Sequence, residues 1–87
     1  MKKYQIIGGQ YAFCRKGESD SLHGAKIIAS KNQEYWDNWQ GWRTPSIYHA
    51  EDCIQIESTS FNFSGIVPRP GAVPEASKDA SGRWCRR

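Results

Sequence analysis

Ser21-Leu22-His23-Gly24-Ala25-Lys26-Ile27-Ile28-Ala29-Ser30-Lys31-Asn32 places Leu22, Ala25, Ile28 and Ala29 at intervals of three and four, which lines one face of a helix. Ser21 stands where an N-cap is needed, its hydroxyl able to accept a first-turn N–H, and Ser19 serves if the helix starts earlier. Lys26 and Lys31 fall toward the C-terminal half, where the helix dipole favours cations, and Asn32 is a stop. One narrow apolar stripe built partly of alanine predicts a helix of about three turns that lies against a sheet.

Outward from the helix, the flanks read as strands. Lys3 to Arg15 holds Tyr4, Ile6, Ile7, Tyr11 and Phe13, a first strand bent or bulged at Gly8-Gly9. Arg15 to Asp20 is rich in breakers and reads as a turn. On the other side, Ser46-Ile47-Tyr48-His49-Ala50 is a strand, Glu51-Asp52 a turn, and Cys53-Ile54-Gln55-Ile56-Glu57 alternates with Ile54 and Ile56 on one face, so that the pair suggests a hairpin. Three of the four prolines lie between Val67 and Pro74, which favours irregular backbone. The expected fold is α+β: an antiparallel sheet of three or four strands in βαββ order, with one helix on one face. Residues 1–64 form the compact domain, and residues 65–87 form a Pro/Gly-rich loop or tail in which Trp84 docks on the core or a last strand forms.

The chain has 87 residues, of which 38% are hydrophobic, 24% charged and 13% aromatic. That is one small domain with a thin core, in which a few large side chains must carry the stability. No run approaches the roughly 18 apolar residues of a membrane span, and the first ten residues lack the apolar segment of a secretory signal. A cytoplasmic chain with no membrane partner is expected. Cys14, Cys53 and Cys85 are odd in number and far apart, so they form neither a disulfide framework nor a C-x-x-C site, and reduced thiols are the expectation. A zinc site assembled from Cys14, His49, Cys53 and Cys85 is the weaker alternative.

Catalytic signatures are missing. Gly8-Gly9-Gln10 has neither the dinucleotide nor the P-loop spacing, and no H-E-x-x-H or D-x-D occurs, so no catalytic residue, metal or cofactor is assigned and the chain is read as a non-enzyme. Net charge is +3, but it is patterned. Lys2, Lys3, Arg15, Lys16, Lys26 and Lys31 outweigh Glu18 and Asp20 in residues 1–33, whereas Glu34, Asp37, Glu51, Asp52 and Glu57 face only Arg43 in residues 34–60. The most unusual composition lies at Glu34 to Arg43, where Trp36, Trp39 and Trp42 recur every third residue beside Tyr35 and Asp37. Trp, Tyr and Arg anchors within a polar rim are what a protein interface needs, which makes Glu34, Tyr35, Trp36, Asp37, Trp39, Trp42 and Arg43 the candidate partner-binding set. The blander reading is that these rings seal the helix onto the sheet. Lys26 and Lys31 are candidates for contact with nucleic acid or an acidic surface.

The strand Tyr4-Gln5-Ile6-Ile7, the helix marked by Ser21-Leu22, Ala25-Lys26 and Ala29-Ser30-Lys31, a hairpin, and the closing Ser81-Gly82-Arg83-Trp84 together resemble the βαββ pattern of small phage-encoded anti-CRISPR proteins directed against type I effector complexes. The match covers about half the chain in element order, and the Trp36, Trp39 and Trp42 segment and the proline-rich segment depart from it. The resemblance implies a non-enzymatic inhibitor in the host cytoplasm, monomer or homodimer, that occludes the nucleic-acid site of a defence complex by binding subunits of that CRISPR effector. Lys26 and Lys31 are the positions that carry over as contacts. The alternative expectation, from charge alone, is a DNA- or RNA-binding accessory protein using the basic N-terminal third.

Overall fold

A computed structural model describes residues 1–8, 14–31, 45–58, 64–79 and 81–86. Their elements run β1 (Tyr4–Gly8), β2 (Cys14–Ser19), α1 (Leu22–Lys31), β3 (Ser46–His49), a 3₁₀ turn (Ala50–Asp52), β4 (Cys53–Gln55), β5 (Ile66–Pro68), β6 (Ala76–Lys78) and β7 (Trp84–Arg86). Among the described residues five strands form an antiparallel sheet in the order β2-β1-β3-β6-β7, and β4 and β5 pair in a second, two-stranded sheet. The α+β class agrees with the sequence, as does the one α-helix on antiparallel strands among the described residues. The expected three or four strands do not, and the order begins ββαβ rather than βαββ.

The difference starts at the N-terminus. The stretch expected to be one strand and a turn is a pair of strands, with Tyr4 opposite Ser19 and Ile6 opposite Gly17. The irregularity lies between Ile6 and Ile7, where the partner position jumps from Gly17 to Arg15. Gly17, read as a turn residue, is in a strand for a steric reason: a Cβ there would come within 3.1 Å of Ile28 Cγ2 and 3.3 Å of Ile6 Cδ1. The missing side chain lets the helix approach the sheet.

β1 lies between β2 and β3 with Gln5, Ile6 and Ile7 all buried, so it shows the unbroken burial of a central strand. On the helix side, Ile6, Ile47, Ala25 and Ala29 form the core, with Tyr4, Leu22, Ile28 and Trp84 packed against it. The alanines keep α1 close to the strands, and Leu22, Ala25, Ile28 and Ala29 make the stripe that the sequence spells. Ser21 caps the helix as expected, its Oγ accepting the Gly24 N–H at 2.9 Å. On the opposite face Gln5 Nε2 donates to the Lys2 carbonyl at 2.7 Å and to Glu18 Oε1 at 3.0 Å.

Two further expectations are corrected. β3 and β4 do not form a hairpin: the 3₁₀ turn redirects the chain, β3 takes β1 and β6 as neighbours, and β4 pairs with β5. The segment from residue 65 is less irregular than expected: β5 and β6 lie within it, besides a last strand, β7, that carries Trp84 against the core. Its prolines fall where a lost N–H costs little: Pro68 ends β5, and Pro70 and Pro74 lie in the connection to β6. β6 satisfies the open edge of β3, and the Ser46 and Ser77 hydroxyls meet across that seam at 2.9 Å. Among the described residues no helix is long and apolar enough to cross a membrane.

Candidate functional site

Trp84 is brought to the helix by a tight β6–β7 hairpin. Asp79 Oδ1 accepts the Ser81 N–H at 3.0 Å, the Ser81 hydroxyl at 2.6 Å and the Arg83 N–H at 3.0 Å, while Gly82 takes a φ of 87° that suits glycine. The Ser81 hydroxyl and the Arg83 and Ser81 N–H groups hold the Asp79 carboxyl below its ordinary range. Across this hairpin Trp84 pairs with Lys78, so both side chains stand on one face of the sheet. The Lys78 ammonium lies 5.9 Å from the centre of the Trp84 ring, and Lys26 reaches over the same ring from α1 at 5.9 Å. Both distances permit a cation–π attraction.

Between α1 and Trp84 runs an open groove of about 610 Å³, lined by His23, Lys26, Ile27, Ser30, Lys31 and Trp84. The helical residues among these are three and four apart, one continuous stripe beside the core-facing one. Ile27 is 52% exposed in this stripe, an apolar side chain left facing solvent. Among the described residues the lining holds two lysines, a histidine and no carboxylate. The groove therefore combines an apolar floor with a cationic rim.

Lys26 and Lys31, expected on the helix, are brought together here. Glu34, Tyr35, Trp36, Asp37, Trp39, Trp42 and Arg43 lie outside the described residues. Trp84 was legible as a docking aromatic but not as part of a site, since Lys26 and the groove lining come from α1, far from it in sequence.

A second polar cluster joins β3 to the hairpin. Glu75 Oε1 accepts from Arg86 Nη2 at 2.7 Å, and Glu75 Oε2 lies 3.4 Å from His49 Nε2. His49 in turn packs against Tyr4, ring centres 4.9 Å apart. The Arg86 hydrogen bond first, and His49 after it, keep the Glu75 carboxyl below its usual range. Of the four residues considered for zinc, Cys53 aims its Sγ at the His49 carbonyl oxygen, 3.5 Å away, and Cys85 is exposed near Asp79. Burial first, and Asp52 after it, raises the Cys53 thiol pKa, which disfavours the thiolate a metal or a nucleophilic role would use. Among the described residues no three His, Cys, Asp or Glu side chains gather as a metal site.

Comparison with protein-family models, curated proteins and solved structures finds no match to this chain.

Proposed function

We propose that this chain is a small non-enzymatic binding protein whose α1–β7 groove takes nucleic acid. The observation that carries this reading is the meeting of Lys26, Lys31 and His23 with Trp84 around one groove that no carboxylate lines among the described residues. Lysine ammoniums attract phosphates and release their counterions, and an indole offers a surface that bases share. The overall charge of +3 acts in the same direction at longer range.

The competing expectation, an inhibitor that occludes a CRISPR effector, rests on anchors between Glu34 and Arg43, and the described geometry adds nothing to it. One experiment separates the two. Tagged protein is recovered from a bacterial lysate with and without nuclease, and the purified protein is titrated with labelled nucleic acid at several salt concentrations. A nucleic-acid binder brings down nucleic acid that nuclease removes, and its affinity falls steeply with salt. Recovery of a stoichiometric protein complex that survives nuclease, with no salt-sensitive nucleic-acid binding by the purified chain, would overturn the proposal in favour of the inhibitor.

A further inference from the structure

The geometry points to a single-stranded rather than a double-stranded ligand, with one base stacked on Trp84 and the flanking phosphates held by Lys26 and Lys31. This inference rests on the nucleic-acid reading above and adds the strand state and the register. Its first support is the floor of the groove. Ile27 and Trp84 form an apolar surface between the cations, and Ile27 is more than half exposed. A duplex turns its base faces inward and presents phosphates and groove edges, so its backbone would meet the lysines while leaving this floor without an apolar partner. An unpaired base supplies the flat face that the floor lacks.

The second support is spacing. Lys26 and Lys31 lie five residues apart on one helix, about 7.5 Å along its axis at the α-helical rise. A stacked strand advances about 3.4 Å per nucleotide, so the backbone positions of the two lysines are offset along the groove by the length of roughly two nucleotides. Trp84 lies on the same groove, within reach of the base between those phosphates. The third is the position of Lys26. Its ammonium rests over the Trp84 ring, 5.9 Å from the centre. A base arriving on that ring displaces the ammonium toward the nucleotide's own phosphate, exchanging a cation–π contact for stacking and an ion pair. Lys78 stays beside the indole from its cross-strand position and keeps the ring oriented.

The test is fluorescence anisotropy of the full chain with labelled oligo-dT and oligo-U on the order of ten nucleotides long, and with a blunt duplex of the same length. Single strands are expected to bind at least several-fold tighter than the duplex, and the two single-strand arms show whether the ligand is DNA, RNA or either. Trp84→Leu, which keeps an apolar side chain against the core but offers no π-face, should weaken single-strand binding by roughly five-fold or more, and Ile27→Glu should weaken it further. Ile27 is exposed, so this variant sets a carboxylate between the lysines without disturbing the fold, and thermal unfolding checks that both variants are folded. Lys26→Gln with Lys31→Gln should lower the slope of log affinity against log salt by about 1.4, the share of two phosphates on a single strand. Arg69→Gln, away from the groove lining, is the control. Duplex binding as tight as single-strand binding, or unchanged single-strand affinity in folded Trp84→Leu and Ile27→Glu, would overturn the inference and leave nucleic-acid binding standing. Absence of binding to any of the three probes would overturn the reading on which it rests.

Discussion

The groove between α1 and Trp84 and the cluster around Glu75 are both polar regions built on the same sheet, and they treat charge in opposite ways. At Glu75 one carboxylate is shared by the Arg86 guanidinium and the His49 ring, so the anion faces a cation and the contacts fasten β3 to β7. In the groove Lys26 and Lys31 stand with His23 along an apolar floor, and among the described residues no carboxylate lines it. Matched charges at a surface contribute a little to holding a fold together. Gathered like charges cost a little in repulsion, and they attract an anion from outside. Within one small sheet, contacts that fasten strands thus lie apart from the groove proposed to bind.

The largest expected effect breaks both regions at once. Ile47 is fully buried in the core beneath α1, and its carbonyl oxygen accepts the Glu75 N–H at 2.8 Å. Ile47→Ala should destabilise the chain by about 2–5 kcal/mol, read from the denaturant midpoint, and should loosen the groove and the cluster together. A smaller and more selective effect comes from Gly17→Val. The added side chain meets Ile28 and Ile6 and pushes α1 from β2, at a cost of about 1–3 kcal/mol, moving the helical wall of the groove while leaving Glu75 in place. Amide exchange of the two regions distinguishes this outcome from general unfolding.

The smallest effect belongs to Glu75 itself. Its pKa is lowered in the folded chain, so its contribution is present above the unfolded carboxylate value, about 4.3, and is lost as pH falls through the folded value. Glu75→Gln should melt slightly below the parent at neutral pH, and the two should converge on acidification. Nucleic-acid affinity of this variant at neutral pH should not fall. If it does, the division between a fastening region and a binding region is wrong.

Parts of this arrangement are legible in the residues. The helix is, because Leu22, Ala25, Ile28 and Ala29 repeat at its period and Ser21 supplies a cap that acts within one turn. The strands at Ser46–His49 and Cys53–Gln55 are, because Ile47 and Tyr48 favour extended backbone in the first and Ile54 begins an alternation with Ile56 in the second. Their pairing is not. Alternation says which residues share a face and nothing of which strand lies alongside, and the 3₁₀ turn between these two sends them into different sheets. Gly17 and the prolines mislead for a related reason. They resemble breakers locally, yet one makes room for Ile28 and the others sit at strand ends or in connections.

The site divides in the same way. Lys26 and Lys31 were visible as helical cations, whereas Trp84, some fifty residues later, joins them only through the β6–β7 hairpin and the order of the sheet. By themselves the residues determine what depends on near neighbours: a capped helix with one apolar stripe, its row of cations, several short strands and an excess of positive charge. The tertiary structure alone decides that β3 lies between β1 and β6, that Glu75 meets Arg86 and His49, and that Trp84 faces the lysines. Hydrophobic periodicity and capping act over a few residues, while strand order and register are selected by burying Ile6, Ile47 and Ala76 together, a choice that no single segment contains.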